Sequence, residues 1–289
     1  MGYFTETADK IFRIVLRRLA SKRISYLADK TDWGSRFVAQ VLLQTLQNDA
    51  TPEEKAWLIK IESLRKKLKS SRDEITIVDY GAAKADRNST GEPNGRSKIV
   101  TRTVGTVCRK AGTPYFWGFF LFKLIREFKP SVCLELGTSL GISASFQAAA
   151  LKLNQSGKLV TLEGAKSLAS LAQRNFHSLG LDNVSVITGR FQDTLDGVLN
   201  DYAPVNYAFI DGHHDEKATL AYFQQIVPFL SNSAILVFDD ISWSRGMKRA
   251  WENIEMDNRI KLSLNLWHMG IGILDRKIER KQRFKIPMV

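Results

Sequence analysis

The sequence predicts an α/β fold: a mostly parallel sheet with helices on both of its faces. Three observations carry this prediction. Short runs rich in Val, Ile, Leu and Phe recur at 131–136, 158–164, 184–189, 206–212 and 234–240. Helix-length segments separate them, and strands that are apolar on both faces belong to a sheet covered on both sides. The runs also end in, or within one residue of, Gly, Glu or Asp, the residues that collect where a strand turns into a helix and meets a ligand.

The first 75 or so residues have helical patterning. KIFRIVLRRLASKR (10–23) is an amphipathic basic stretch, and TPEEKAWLIKIESLRKKLKSS opens on Thr51-Pro52-Glu53-Glu54, a good helix start. DYGAAKADRNSTGEPNGRSK (79–98) is rich in Gly, Asn, Ser and charge and reads as a mobile loop. From SVCLEL (131–136) strands and helices alternate, and the helix before VSVITG closes on Gly180, a natural C-terminal cap. After a helix at about 244–257, WHMGIGILDRK and RFKIPMV read as two closing strands forming a hairpin-like antiparallel edge. Two regions are expected: a helical N-terminal extension with its loop at 1–110, serving as a lid or substrate element, and a sheet domain at 111–289.

Composition bounds the function. With 44% apolar residues the chain of 289 can bury a sizeable core. Its two cysteines, one of them (Cys133) inside an apolar strand, exclude a disulfide framework or a cysteine zinc site. No apolar run reaches the ~18 residues of a membrane span, and MGYFTETADK lacks the layout of a secretion signal. A cytoplasmic protein is expected. The net charge is +12, yet residues 131–240 hold 6 Lys/Arg against 11 Asp/Glu. The acidic centre is thus set in a basic periphery, which favours acidic partners or is simply solvated surface.

LELGTSLG places Glu135 at a strand end, with Gly137, Thr138, Ser139 and Gly141 in the turn entering a helix. Glycines let the backbone approach a ligand, and the helix N-terminus offers free N–H groups. The glycine spacing is E-x-G-x-x-x-G, which differs from the dinucleotide pattern G-x-G-x-x-G. Glu163, followed by Gly164, ends the next strand 22 residues beyond Gly141, where an acidic side chain binds ribose hydroxyls. The third strand leads into GRFQD, where Gln192 can meet an adenine edge.

This constellation resembles the class I S-adenosylmethionine-dependent methyltransferases over residues 115–289. The resemblance implies a Rossmann-like sheet of seven strands with the last antiparallel. It also implies that Glu135 and the Gly137–Gly141 turn hold the methionine part of the cofactor, that Glu163 holds the ribose, and that Phe191 and Gln192 flank the adenine.

FIDGHH (209–214) and FDDI (238–241) bring Asp211 and the pair Asp239-Asp240 to adjacent strand ends. Three converging carboxylates repel one another unless a cation or protons intervene, and hard oxygen donors in this number suit Mg²⁺. His214, three residues past Asp211, is placed to act as a base on a substrate hydroxyl. The pattern resembles the catechol and caffeoyl-coenzyme-A O-methyltransferases, in which a lysine occupies the position of His214. It is closer to the macrolide-sugar O-methyltransferases, which carry D-G-x-H and an acidic pair, with glutamate where Asp239 stands. That resemblance implies Asp211, Asp239 and Asp240 as metal ligands and His214 as base. His213 is then a variable, solvent-facing residue, and His177 and His268 are packing residues. The N-terminal helices and Asp79–Ala82 also resemble a group of bacterial methyltransferase-like proteins without an assigned substrate.

The expected reaction is Mg²⁺-dependent O-methylation of a small hydroxylated molecule. A metal-free enzyme in which Asp211 only positions the cofactor is a variant of the same reading. An RNA methyltransferase using the basic flanks is disfavoured, because Asp-Gly-His-His stands where base-amino methylation would need Asn/Asp-Pro-Pro-aromatic. The remaining alternative is a cofactor-binding protein without turnover, anchored at a membrane or partner through residues 10–23. A homodimer is compatible with all of these.

Overall fold

The computed structural model describes residues 20–30, 32–79 and 98–288. The basic stretch at 10–23 therefore lies largely outside the described residues, as does most of the 79–98 segment. In chain order the elements are α1 (20–28), α2 (Trp33–Gln47), α3 (Pro52–Ser70), β1 (Glu74–Asp79), β2 (Lys98–Thr103), α4 (Val104–Ala111) and α5 (Tyr115–Phe128). The sheet region follows as β3 (Val132–Leu136), α6 (Ile142–Leu153), β4 (Lys158–Glu163), α7 (Lys166–Leu179), β5 (Val184–Thr188), α8 (Phe191–Tyr202) and β6 (Val205–Ile210). It closes with α9 (Glu216–Ile226), β7 (Leu230–Phe238), α10 (Arg245–Met256), β8 (Leu262–Trp267), β9 (Gly270–Asp275) and β10 (Gln282–Met288).

The main sheet has the order β10-β8-β9-β7-β6-β3-β4-β5. Strands β3 to β7 run parallel, and β9 inserts antiparallel between β7 and β8. Alternation along the strands divides the core in two. Cys133, Leu159, Tyr207, Phe209, Ile235 and Val237 face the helices α5, α6 and α7 and the N-terminal helices behind them. Their neighbours Leu134, Leu136, Val160, Ala208, Leu236 and Phe238 face α8, α9 and α10. Both faces of each strand are apolar for this reason, as expected of a doubly covered parallel sheet.

Four expectations are corrected. The sheet has eight strands instead of seven, because β10 adds to the edge by pairing in parallel with β8. The antiparallel strand is β9, second from last in sequence, and β10 does not form a hairpin with it. LSLNLW (262–267) is a strand that the sequence reading passed over. The N-terminal region is not wholly helical, since β1 and β2 pair as a two-stranded antiparallel ribbon.

The N-terminal helices share one core with the sheet face that they cover. A buried charge cluster ties them down. The Glu54 carboxylate of α3 accepts from Lys123 Nζ at 2.7 Å and Arg126 Nε at 3.0 Å, both on α5. Burial opposes ionisation of Glu54, but these two partners outweigh it and hold the carboxyl below its ordinary range. The helix start read at Thr51 is a complete capping box with Glu54, so one carboxylate both caps α3 and docks it.

Candidate active site

The parallel strands β3, β4, β6 and β7 end on one edge, and the turns after them form a crevice there. Gly137, after β3, adopts φ +111°, and a Cβ at this position would lie 2.0 Å from the Asp211 carbonyl oxygen. The glycine therefore lets the first turn touch the turn after β6. Hydrogen bonds from Gly137 N–H and Thr138 N–H to Leu162 C=O, and from Asp211 N–H to Leu136 C=O, lock the three strand ends together. Ala111 and Gly112, at the end of α4, close over Gly137, Thr138, Ser139 and Asp211 around a small cavity. The end of α4 thus contributes a wall to the crevice.

Glu163 sits at the end of β4, where its oxygens accept from Ser139 N–H at 2.8 Å and Ala165 N–H at 2.9 Å. Its carboxylate is fixed against the glycine turn. Glu135 differs: it is fully buried, and its oxygens accept from Thr161 Oγ1 at 2.6 Å and Gln147 Nε2 at 2.7 Å. It supports the turn from within the core. Burial pushes its carboxyl up to about 7, against the stabilising hydrogen bonds.

A pH dependence follows. A carboxyl whose folded pKa lies above its unfolded value stabilises the fold at low pH, and that contribution fades as pH rises through about 7. Urea denaturation should show wild-type stability falling between about pH 4 and pH 8 and levelling off above that, with Glu135 contributing ~3 kcal/mol of the loss. Glu135→Gln should flatten that slope. An unchanged slope in the variant would refute the assignment.

Phe191 and Gln192 open α8 beside the crevice, Phe191 buried and Gln192 exposed. Phe191 packs edge-on against His213 (5.4 Å) and Tyr222 (5.7 Å). His213 is consequently no solvent-facing loop residue. Its Nδ1 shares a 2.5 Å hydrogen bond with the Tyr222 hydroxyl, and its ring stacks on that of Tyr222. Both His213 and His214 have positive φ, +64° and +42°.

His214 turns toward the acidic cluster. Its Nε2 lies 3.7 Å from Asp211 Oδ1 and its Nδ1 lies 3.8 Å from Asp240 Oδ2. Burial, with the Asp239 carboxylate beside it, pushes the Asp211 carboxyl well above the ordinary range. Asp239 is also raised by burial, against the pull of His268. Asp239 Oδ1 is shielded from solvent and has no hydrogen-bond donor. These crowded carboxyls, one oxygen of them orphaned, fit a divalent cation.

His268 was missed by the sequence reading, which treated it as packing. It occupies the turn between β8 and β9. Since β7 and β9 pair with Phe238 opposite Gly270, the turn is carried to the residues just after β7. His268 Nε2 lies 3.3 Å from Asp239 Oδ1, and Nδ1 lies 3.4 Å from Asp240 Oδ1. No local signal in WHMG reveals this, because it depends on the pairing register of strands far apart in the chain.

Comparison with known proteins agrees with this fold. Residues 134–241 match a family described as a methyltransferase domain. A catechol O-methyltransferase of Niastella koreensis is 33% identical over 126 residues, covering 43% of this chain and 55% of that protein. The chain thus spans about half the length of this curated relative. Among solved structures, an O-methyltransferase from Bacillus cereus, in complex with SAH, is 25% identical, with TM-score 0.50 over 58% of this chain and 84% of that one. The fold is also shared with the O-methyltransferase TomG of Streptomyces achromogenes, solved with SAM, at 21% identity and TM-score 0.51 over 57% of this chain and 82% of that one.

Proposed function

We propose that residues 134–241, which match the methyltransferase-domain family, form a class I S-adenosylmethionine-dependent methyltransferase domain, and that the protein methylates a hydroxyl group of a small molecule with the help of a divalent cation. One observation carries the proposal: Asp211, Asp239, Asp240 and His214 converge beside the glycine turn through the Gly137–Asp211 contact.

The turn Gly137, Thr138, Ser139, Gly141 would take the methionine part of S-adenosylmethionine, with Glu135 shaping it from beneath. Glu163 and Gly164 would receive the ribose, and Phe191 and Gln192 the adenine. In methyl transfer the enzyme supplies alignment and a proton acceptor. His214 removes the hydroxyl proton at a ring nitrogen, and Asp211 and Asp240 on either side stabilise the imidazolium that forms. Asp211, Asp239 and Asp240 would hold the cation, magnesium if oxygen donors alone decide it. When bound, such an ion lowers the pKa of a hydroxyl near it.

Calorimetric titration with S-adenosylhomocysteine tests the cofactor assignment. Wild-type protein should bind it, and Glu163→Ala should weaken binding by about 10-fold to 100-fold, the loss of a charged hydrogen bond. Absence of binding to the wild type would overturn the proposal.

A further inference from the structure

We propose that His268 is a ligand of the cation at this site, and that the ion is therefore a first-row transition ion such as Mn²⁺ or Fe²⁺ in preference to Mg²⁺. This deepens the metal-assisted reading above and rests on it.

The ring is held in place from several sides. Ile241 N–H donates to the His268 carbonyl at 3.1 Å, which pins the turn to the loop after β7. Trp117 of α5, itself buried, stacks on the imidazole at 5.3 Å and 28°, fixing its plane. Asp239, Asp240 and His268 each present one donor atom within 4.8 Å of the others. The separation of 3.3 Å from Nε2 to Asp239 Oδ1 is close to the ~3 Å spacing of neighbouring ligands on one ion with bonds of about 2.1 Å, while Nδ1 stays 3.4 Å from Asp240 Oδ1.

These contacts are within ion-pair distance, yet Asp239 Oδ1 gains no hydrogen bond from the imidazole. An oxygen and a nitrogen that face each other without a hydrogen bond are both satisfied by a cation between them. One nitrogen of His268 would bind the ion while the other keeps its carboxylate neighbour, the usual arrangement of a ligand imidazole. His214 approaches Asp240 at Oδ2, whereas His268 approaches Oδ1. The two histidines therefore flank one carboxylate on separate oxygens, one free for proton transfer and the other for the ion.

An imidazole among the donors changes the preferred ion. Carboxylate and water donors suit Mg²⁺, while nitrogen donors favour first-row transition ions. His268 supplies the nitrogen that the three carboxylates lack.

The experiment is Mn²⁺ titration followed by pulsed electron paramagnetic resonance, without cofactor or acceptor. Wild-type protein should take up Mn²⁺ and show ¹⁴N modulation from a coordinated imidazole, replaced by ¹⁵N modulation after ¹⁵N-histidine labelling of the unaltered protein. His268→Gln should lose the modulation and bind Mn²⁺ about tenfold more weakly, while His214→Gln keeps it. S-adenosylhomocysteine binding reports the fold of each variant. Mn²⁺ bound without nitrogen coupling, or coupling retained in His268→Gln, would overturn the ligand assignment while leaving metal-assisted methylation standing. No Mn²⁺ uptake by wild type that binds S-adenosylhomocysteine would overturn the inference, with the two imidazoles then acting as counter-charges in place of an ion.

Discussion

Replacing His214 by alanine is expected to lower kcat by about 10²-fold to 10⁴-fold, the usual contribution of a positioned general base. The expectation follows from geometry. His214 is the histidine whose nitrogens meet both Asp211 and Asp240, at 3.7 and 3.8 Å, and its side chain is 31% exposed, so a substrate can reach it. His213, its neighbour, is occupied with Tyr222. Because His214 faces the acidic cluster and the glycine turn is built from other residues, cofactor affinity should stay within about twofold of wild type. Single-turnover methyl transfer, paired with S-adenosylhomocysteine titration, separates the two effects. A variant retaining a third or more of wild-type kcat would remove His214 from the role of base.

Gly137→Ala is expected to have the largest effect on the fold and on cofactor binding together. An added Cβ would lie 2.0 Å from the Asp211 carbonyl oxygen, a backbone atom locked in place by its own strand. The turn after β3 or the turn after β6 must move, and either shift separates the glycine turn from the carboxylates. We expect a loss of roughly 3–5 kcal/mol in stability, on the scale of overpacking added to backbone strain. Gly180 supplies the control. It too has positive φ, +72°, as the cap of α7, but an added Cβ there would meet nothing within 4 Å. Gly180→Ala should cost only about 1 kcal/mol, the conformational term alone. Denaturant titration of the two variants isolates the close approach at Gly137, and equal losses would show that no such approach is needed.

The central strands could be read from the sequence because their burial on both sides leaves long apolar runs, as at VCLEL and AILVF. Asp211, Asp239 and Asp240 were legible for a related reason: a carboxylate that interrupts such a run marks the strand end. What escaped detection depended on pairing between distant segments. LSLNLW alternates like an edge strand, and only its partners β9 and β10 define its place. EITIVD and KIVTRT are short and separated by a long polar stretch, so no tight hairpin turn marks the ribbon they form. His268 comes beside Asp239 and Asp240 through the β7–β9 register, which no spacing between His268 and Asp240 in the chain reveals. His213 was read as incidental because its partner Tyr222 sits on the following helix.

The structural role of the acidic cluster bears on the same question. Asp211 is pushed up by burial and the Asp239 carboxylate, and Asp239 by burial and the Asp240 carboxylate, so the protein holds these groups at a cost to its own stability. Carboxyls kept in that state at the mouth of a cofactor crevice are a common mark of a working site.

The most direct measurement is methyl transfer itself. The protein is incubated with methyl-labelled S-adenosylmethionine and size-fractionated cell extract, with Mg²⁺ or Mn²⁺ and again with excess chelator. Label is expected in a small product as an alkali-stable methyl ether, lost when the cation is removed. Label in an RNA-sized fraction, or transfer that persists unchanged in chelator, would contradict it.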